Sequence, residues 1–124
     1  MGMYTEINLN IILRKDLTEE MKTFLSDASS GNIDKDGYLI PFSHRFFDCL
    51  RWEYMFDNSI FEKKGYNWSL KIEADFKVYD GELFHFIDFI TPYIGGRKRK
   101  TYIGWSIYDG TKERYYHHIE RCFD

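Results

Sequence analysis

The sequence of 124 residues has only two cysteines, Cys49 and Cys122, and no long apolar run. Two thiols cannot form a disulfide framework, and neither lies at metal-site spacing from another Cys or a His. No run reaches the roughly 18–20 apolar residues that span a bilayer, and the N-terminus lacks the pattern of a secretory signal. The sequence therefore predicts a cytoplasmic protein with reduced thiols and no membrane segment.

A strong net charge is also lacking, since the formal charge at pH 7 is −3. Residues 1–94 contain 10 Lys or Arg and 16 Asp or Glu, whereas residues 95–124 contain 7 and 4, so the two parts carry −6 and +3. A nonspecific nucleic-acid binder usually has a broader basic surface, because its affinity comes from neutralising many phosphates. The charge pattern argues against such a protein but leaves room for a local anion site.

Motifs that carry known chemistry are missing as well. There is no nucleophile elbow, no phosphate-binding glycine loop and no Cys–His pairing. His117 and His118 would point to opposite faces of a strand, and no other His completes a set of three metal ligands. We therefore predict no catalytic residues, no metal and no cofactor, and interpret the protein as not an enzyme.

Aromatic residues are abundant, because 24 of the 124 residues are Phe, Tyr or Trp. A core of this size cannot bury every ring, so some Tyr and Trp are expected at the surface or at an interface. The series Trp52, Tyr54, Phe56, Trp68 and Phe76 is assigned to the core. The later rings of residues 102–116 are expected to be partly exposed.

A strand followed directly by a helix is predicted between Trp68 and Ile94. Apolar and polar residues alternate over 68–77, which is typical of a half-buried strand. The period then changes to that of a helix, with Asp80 as N-cap and with Gly95 and Gly96 ending the helix. Its apolar stripe is Leu83, Phe86, Ile87, Ile90 and Ile94.

The same patterns predict the other elements. Strands are expected at 4–13, 51–57, 101–108 and 113–120, with tight turns at 64–67 and at Asp109 and Gly110. A helix is expected at 16–28, capped by Asp16, and one helical turn capped by Ser43 within 43–50. The register of 101–108 stays open, because alternate residues on both of its faces are apolar or aromatic.

The element order is β-α-β-β-α-β-β, which predicts a single α+β domain over residues 1–124. Its first six elements match the ferredoxin-like β-α-β-β-α-β pattern, and the last adds a C-terminal edge strand. We expect an antiparallel sheet in the order 5-4-1-3-2 with both helices on one face. The other face would be open and would carry Glu6, Asn8, Asn10, Lys71, Glu73 and Asp75.

Several short motifs resemble a family of small uncharacterised bacterial and prophage proteins. They are Trp68-Ser69-Leu70, Tyr79-Asp80-Gly81-Glu82-Leu83, Phe86-Ile87-Asp88, Pro92-Tyr93-Ile94 and Gly104-Trp105. The resemblance covers most of the chain and implies a fold rather than an activity. The chain differs in the loop before the fourth strand, which is acidic in that family and here is Arg97-Lys98-Arg99-Lys100.

This basic loop and the rings that follow it form the predicted binding site, which consists of Arg97, Lys98, Arg99, Lys100, Tyr102, Trp105 and Tyr108. Four cations can hold phosphate, and aromatic rings can stack on a base. The leading hypothesis is a non-enzymatic binding module. The prophage resemblance implies an anti-defence protein that sequesters an anionic nucleotide signal or blocks a host defence protein.

Two alternatives stay open. One is a homodimeric or protein-protein interaction module that pairs through the last strand. The other is a small hydrolase that uses carboxylates such as Glu6 and Glu73 on the open sheet face. A solvated basic turn without function would also explain the Arg97–Lys100 run.

Overall fold

The computed structural model describes residues 4–33, 38–95 and 100–118. Within them lie five β-strands and two α-helices, and this confirms the predicted α+β class with an antiparallel sheet. The predicted helix-ending glycine Gly96, the last two residues of the predicted strand 113–120 and the thiol of Cys122 lie outside the described residues. The elements are β1 (Thr5–Leu13), α1 (Glu19–Ser29), β2 (Ser59–Lys64), β3 (Asn67–Phe76), α2 (Glu82–Ile90), β4 (Lys100–Tyr108) and β5 (Thr111–His118).

The five strands form one sheet in the order β2-β3-β1-β4-β5. Read from β5, this order is 5-4-1-3-2, and every pairing is antiparallel. The central strand β1 alternates strictly, with Ile7, Leu9, Ile11 and Leu13 buried and the residues between them more exposed. One sheet face therefore joins the core, and the other carries Glu6, Asn8, Asn10, Lys71, Glu73 and Asp75 as predicted.

Both helices pack on the buried face of the sheet. Phe24 of α1 is fully buried and contacts Phe89 of α2, with the ring centroids 6.4 Å apart. Further rings surround Phe24 at centroid distances of 5.5–6.4 Å, namely Tyr38, Phe42, Phe47, Trp52 and Phe56. Much of the aromatic surplus is thus used in one cluster, where edge-to-face contacts add to the gain from burial.

The predicted strand at 51–57 is wrong, because Trp52–Phe56 forms a 3-10 helix. Trp52, Met55 and Phe56 are buried, at helical spacing, whereas Tyr54 is 40% exposed. The second strand is β2, which pairs with β3 through the turn at Gly65 and Tyr66. Since β2 is an edge strand, most of its side chains face solvent, and its alternation is too weak to show in the sequence.

The predicted helix caps are also wrong. The N-cap of α1 is Thr18, whose Oγ1 accepts from the Met21 backbone N–H at 3.2 Å. Asp16 instead pairs with Arg14 at 2.9 Å. The short 3-10 helix Arg45–Asp48 is capped by the His44 ring rather than by Ser43. Thr18 and His44 both have the extended backbone that a cap requires.

Helix α2 begins and ends differently from the prediction. Gly81 is its N-cap with φ 74°, and Asp80 Oδ2 accepts from the Leu50 N–H at 2.9 Å. The helix ends at Ile90 and continues as the 3-10 helix Thr91–Tyr93, which contains Pro92. Ile94 is extended and bridges to Leu13 of β1. Four of the five predicted stripe residues, Leu83, Phe86, Ile90 and Ile94, are nevertheless buried.

A β-bulge between Tyr102 and Gly104 settles the register of β4. Ile103 and Ser106 are buried on the core side, whereas Trp105 pairs with Asn8 on the open face. The bulge lets both faces of β4 carry large side chains, which explains the ambiguous sequence pattern. Gly104 has φ 147°, and a Cβ there would lie 2.1 Å from the Asn8 carbonyl oxygen.

The hairpin between β4 and β5 turns at Asp109 and Gly110, as predicted, with φ of 51° and 77°. Two consecutive positive φ values match the twist of a two-residue hairpin. β5 therefore begins at Thr111 instead of residue 113. In the described part of the chain, no helix has the length and apolarity needed to cross a membrane.

Candidate ligand-binding site

The predicted site is only partly described, because Arg97, Lys98 and Arg99 lie outside the described residues. Lys100 opens β4, and its Nζ lies 4.3 Å from the centroid of the Tyr116 ring. Tyr102 lies directly opposite Tyr116, and the two ring centroids are 5.4 Å apart. A cation and two tyrosines thus form one contact group on the last two strands.

A second group of the same kind lies further along these strands. The Lys112 Nζ is 4.8 Å from the centroid of the Trp105 ring. Trp105 pairs with Asn8 in β1 and with Arg114 in β5, so these side chains share the open face. We call Lys100, Tyr102, Trp105, Lys112 and Tyr116 the open-face patch.

Charge divides the open face into two halves. The open-face patch and Arg114 place cations on β4 and β5. Glu6 pairs with Asp75 on β1 and β3, next to Glu73, so the opposite half is mainly acidic. The boundary runs between β1 and β4, where Glu6 lies opposite Ile107. The acidic half also carries Lys71, so an anion is attracted more strongly to the β4–β5 half than to the other.

Tyr108 is not part of the patch. It pairs with Thr5 and Thr111, whose side chains point to the helix side of the sheet. The structure thus brings Lys100, Tyr102 and Trp105 to one face and Tyr108 to the other. Lys112 and Tyr116 are the members that sequence reasoning missed. A two-residue hairpin would have revealed Lys112, since that turn fixes the pairing of Ile107 with Lys112.

A cavity of about 510 Å³ lies on the helix side, between the start of α2 and the β4–β5 hairpin. Sequence reasoning did not find it, because its walls come from three separate stretches of the chain. Its lining residues are Thr5, Val78, Tyr79, Leu83, Phe84, Ser106, Tyr108, Asp109, Thr111, Glu113 and Tyr115. We call it the hairpin cavity.

A close His–Asp pair, His44 with Asp88, has a structural role. The Phe46 N–H donates to His44 Nδ1 at 3.0 Å, so the ring proton is on Nε2, which lies 2.9 Å from Asp88 Oδ2. Both ring nitrogens are occupied, and neither has a lone pair left to act as a general base. Within the described ranges, no three His, Cys, Asp or Glu side chains group as metal ligands do.

Cys49 is buried beside the N-terminus of α2, in a setting that does not favour a reactive thiol. Burial, followed by the nearby charges of Glu82, Asp80 and Asp48, raises the pKa of the Cys49 thiol. A raised pKa lowers the thiolate fraction near neutral pH, and the thiolate is the nucleophile. The fully buried Glu82 carboxylate accepts from the backbone N–H groups of Asp80 and Arg51, at 3.0 and 3.2 Å. These hydrogen bonds connect the segment at Arg51 to the start of α2.

Comparison with known proteins gives no family assignment. The chain matches no family model, and neither the curated proteins nor the solved structures include a significant match to it.

Proposed function

We propose that the protein is a non-enzymatic binding module whose open-face patch binds a small anionic nucleotide. The observation that carries the proposal is the alternation of cations and exposed rings on β4 and β5. Tyr102 is 47% exposed, although its ring lies beside Tyr116, which Lys100 covers. Stacking on such rings contributes about 1–3 kcal/mol per base.

Lysine side chains beside the rings supply the second part of the recognition. Lys100 and Lys112 lie 4.3 and 4.8 Å from the centroids of the rings that they cover. A base that stacks on Tyr102 or Trp105 would place its phosphate near one of these ammonium groups. Charge-assisted hydrogen bonds to phosphate are stronger than neutral ones. Arg97, Lys98 and Arg99 precede Lys100 directly in the chain and would add to the positive potential.

The acidic half of the face limits the size of the ligand. A long single strand that crossed the sheet would pass from the patch over Glu6, Glu73 and Asp75, where like charges repel its phosphates. A mononucleotide or a cyclic dinucleotide fits on β4 and β5 alone. The division of charge thus supports a nucleotide signal over a nonspecific nucleic acid.

We also propose that the fold is ferredoxin-like and extended by β5. The order β4-β1-β3-β2, with β3 between β1 and β2, supports this assignment. The proposed setting is cytoplasmic, and the resemblance to prophage proteins supports an anti-defence role. In that role the module would sequester a nucleotide signal of the host or block a host defence protein.

A homodimer through β5 is the second candidate, favoured by the position of β5 at the edge of the described sheet. Strand addition at an open edge supplies backbone hydrogen bonds. The edge is exposed at Lys112, Glu113 and Arg114, whose charges disfavour pairing with most strands. A monomer by light scattering at high micromolar concentration would exclude the dimer.

The nucleotide proposal is tested by thermal shift and calorimetry with AMP, ADP, cyclic AMP and cyclic dinucleotides. A ligand that binds only the folded state raises the Tm as its concentration increases. We expect Tyr102→Ala to weaken binding by about 1–3 kcal/mol. Changing all of Arg97–Lys100 to Ser should abolish binding without unfolding the domain.

Two single lysines provide a matched control. Lys112→Ser removes a cation from the patch, whereas Lys71→Ser removes one from the acidic half of the same face. Binding should weaken in the first variant and stay unchanged in the second. Equal affinities in both variants would place the site elsewhere, and a Tm that no nucleotide raises would favour a protein partner.

A further inference from the structure

The hairpin cavity is a second pocket on the side of the sheet opposite the open-face patch. Its volume of about 510 Å³ is within the range of about 300–1,000 Å³ that is usual for small-molecule sites. Tyr108 faces it, whereas Tyr102 and Trp105 lie on the other side of β4. The two sites therefore share the strands β4 and β5 but no side chain.

Aromatic rings form much of the cavity wall. Tyr79 and Phe84 line it although they are 57% and 62% exposed, so large apolar surfaces stay uncovered at its edge. Phe84 meets Tyr115 at a tilt of 78°, with centroids 6.4 Å apart. The guanidinium of Arg51, which is not a lining group, lies 4.4 Å from the Tyr79 centroid and fixes that ring. The wall thus offers ring faces to an apolar ligand body.

The charged residues that line the cavity are acidic, and the Arg51 guanidinium lies against the Tyr79 ring without lining it. Asp109 and Glu113 line the cavity, and none of its described lining residues is Lys, Arg or His. Asp109 is held in place by the hairpin turn, where its φ is 51°. Both carboxylates belong to the β4–β5 hairpin, so they lie on one wall. A cationic group is attracted to this wall, and a phosphate is repelled.

Two hydroxyls lie at the deep end of the cavity. The oxygens of Ser106 and Tyr115 are 2.7 Å apart, and Ser106 is buried. Burial raises the pKa of Tyr115, the Ser106 hydrogen bond lowers it, and the charge of Glu113 raises it, with a net rise. The phenol stays protonated at neutral pH. Each hydroxyl oxygen keeps at least one lone pair beyond the hydrogen bond between them, so the pair can accept a hydrogen bond from an ammonium N–H of a ligand.

We propose that the hairpin cavity binds a small organic cation, an amine or a quaternary ammonium with an apolar or aromatic body. The rings attract the cation through their faces and the two carboxylates attract it by charge, which is the composition of aromatic cages for ammonium groups. The ligand has the opposite charge to the anion proposed for the open-face patch. The two sites are independent, and one can fail without the other.

The test uses three probes of similar shape and different charge: phenethylamine as cation, phenethyl alcohol as neutral form and hydrocinnamate as anion. Each is titrated into the labelled full chain while the backbone amide shifts are followed by NMR. We expect the cation to shift amides of the lining residues, the alcohol to bind about tenfold more weakly, and the anion not to bind. Amide shifts confined to residues away from the cavity would overturn the proposal.

Variants separate the charge from the rings. The double variant Asp109→Asn with Glu113→Gln keeps the shape, because Asn tolerates a positive φ nearly as well as Asp. The double variant should weaken the binding of phenethylamine about tenfold and leave the affinity for phenethyl alcohol unchanged. Phe84→Ala, at an exposed position, should weaken the binding of both probes. Lys112→Ser, on the other face of the sheet, should leave the affinity for both probes unchanged. Unchanged phenethylamine affinity in the double variant would overturn the cation preference.

Discussion

Gly104→Ala tests the claim that a bulge holds β4 against the central strand. The new Cβ would lie 2.1 Å from the Asn8 carbonyl oxygen and 2.7 Å from the Leu9 Cα, whereas ordinary contacts begin at 3.4 Å. The obstacle is backbone, so no side chain can rotate away. A shift of β1 by more than about 1 Å breaks ladder hydrogen bonds, each worth about 1 kcal/mol.

The backbone angle adds a second cost, because a φ of 147° is strained for any residue with a Cβ by about 1–3 kcal/mol. We therefore expect Gly104→Ala to lower the free energy of unfolding by about 3–5 kcal/mol, which is a large part of the 5–15 kcal/mol that is usual for a folded protein. Gly110→Ala is the matched control. The φ of Gly110 is 77°, but a Cβ there meets nothing within 4 Å. The free energy of unfolding should therefore fall by only about 1–2 kcal/mol. Urea unfolding followed by tryptophan fluorescence measures both, and equal losses would refute the steric argument.

Three further predictions concern α1 and the cluster at α2. Thr18→Ala removes the cap of α1 and should cost about 1 kcal/mol in urea unfolding, whereas Thr23→Ala, exposed in mid-helix, should cost nothing. Glu82→Ala leaves two backbone N–H groups without their acceptor and should cost about 2–4 kcal/mol, compared with a few tenths for the exposed Glu20→Ala. The raised pKa of Cys49 predicts that iodoacetamide modifies this thiol more slowly in the native protein than in urea. The pH at which the reaction rate is half-maximal should also be higher in the native protein. Peptide mapping follows that residue, and equal rates in both states would contradict the inference.

The sequence predicts the central elements well because their patterns are strong. β1 and β3 are buried on one face, and their alternation stays visible in every second residue. The edge strand β2 is different, since only Ser59 of its six residues is buried. The aromatic segment before it has residues that fit both a strand and a helix, and packing around Phe24 selects the helical spacing.

The arrangement of the site residues was even harder to predict from the sequence than the edge strand. The sequence alone places cations and rings near 97–108, but it cannot say which of them share a face. In an unbroken hairpin from Asp109 and Gly110, Tyr102 would lie opposite His117. The bulge moves it opposite Tyr116.

The amino-acid sequence by itself determined the α+β class, the apolar stripe of α2 and the tight hairpin turn, because each depends on neighbouring residues and local backbone preferences. Only the tertiary structure decided the second strand, the helix caps, the bulge at Gly104 and the hairpin cavity. Apart from the caps, which are local, these depend on contacts between residues far apart in the chain, such as Gly104 with Asn8 and Phe84 with Tyr115. Local periodicity carries no record of such contacts.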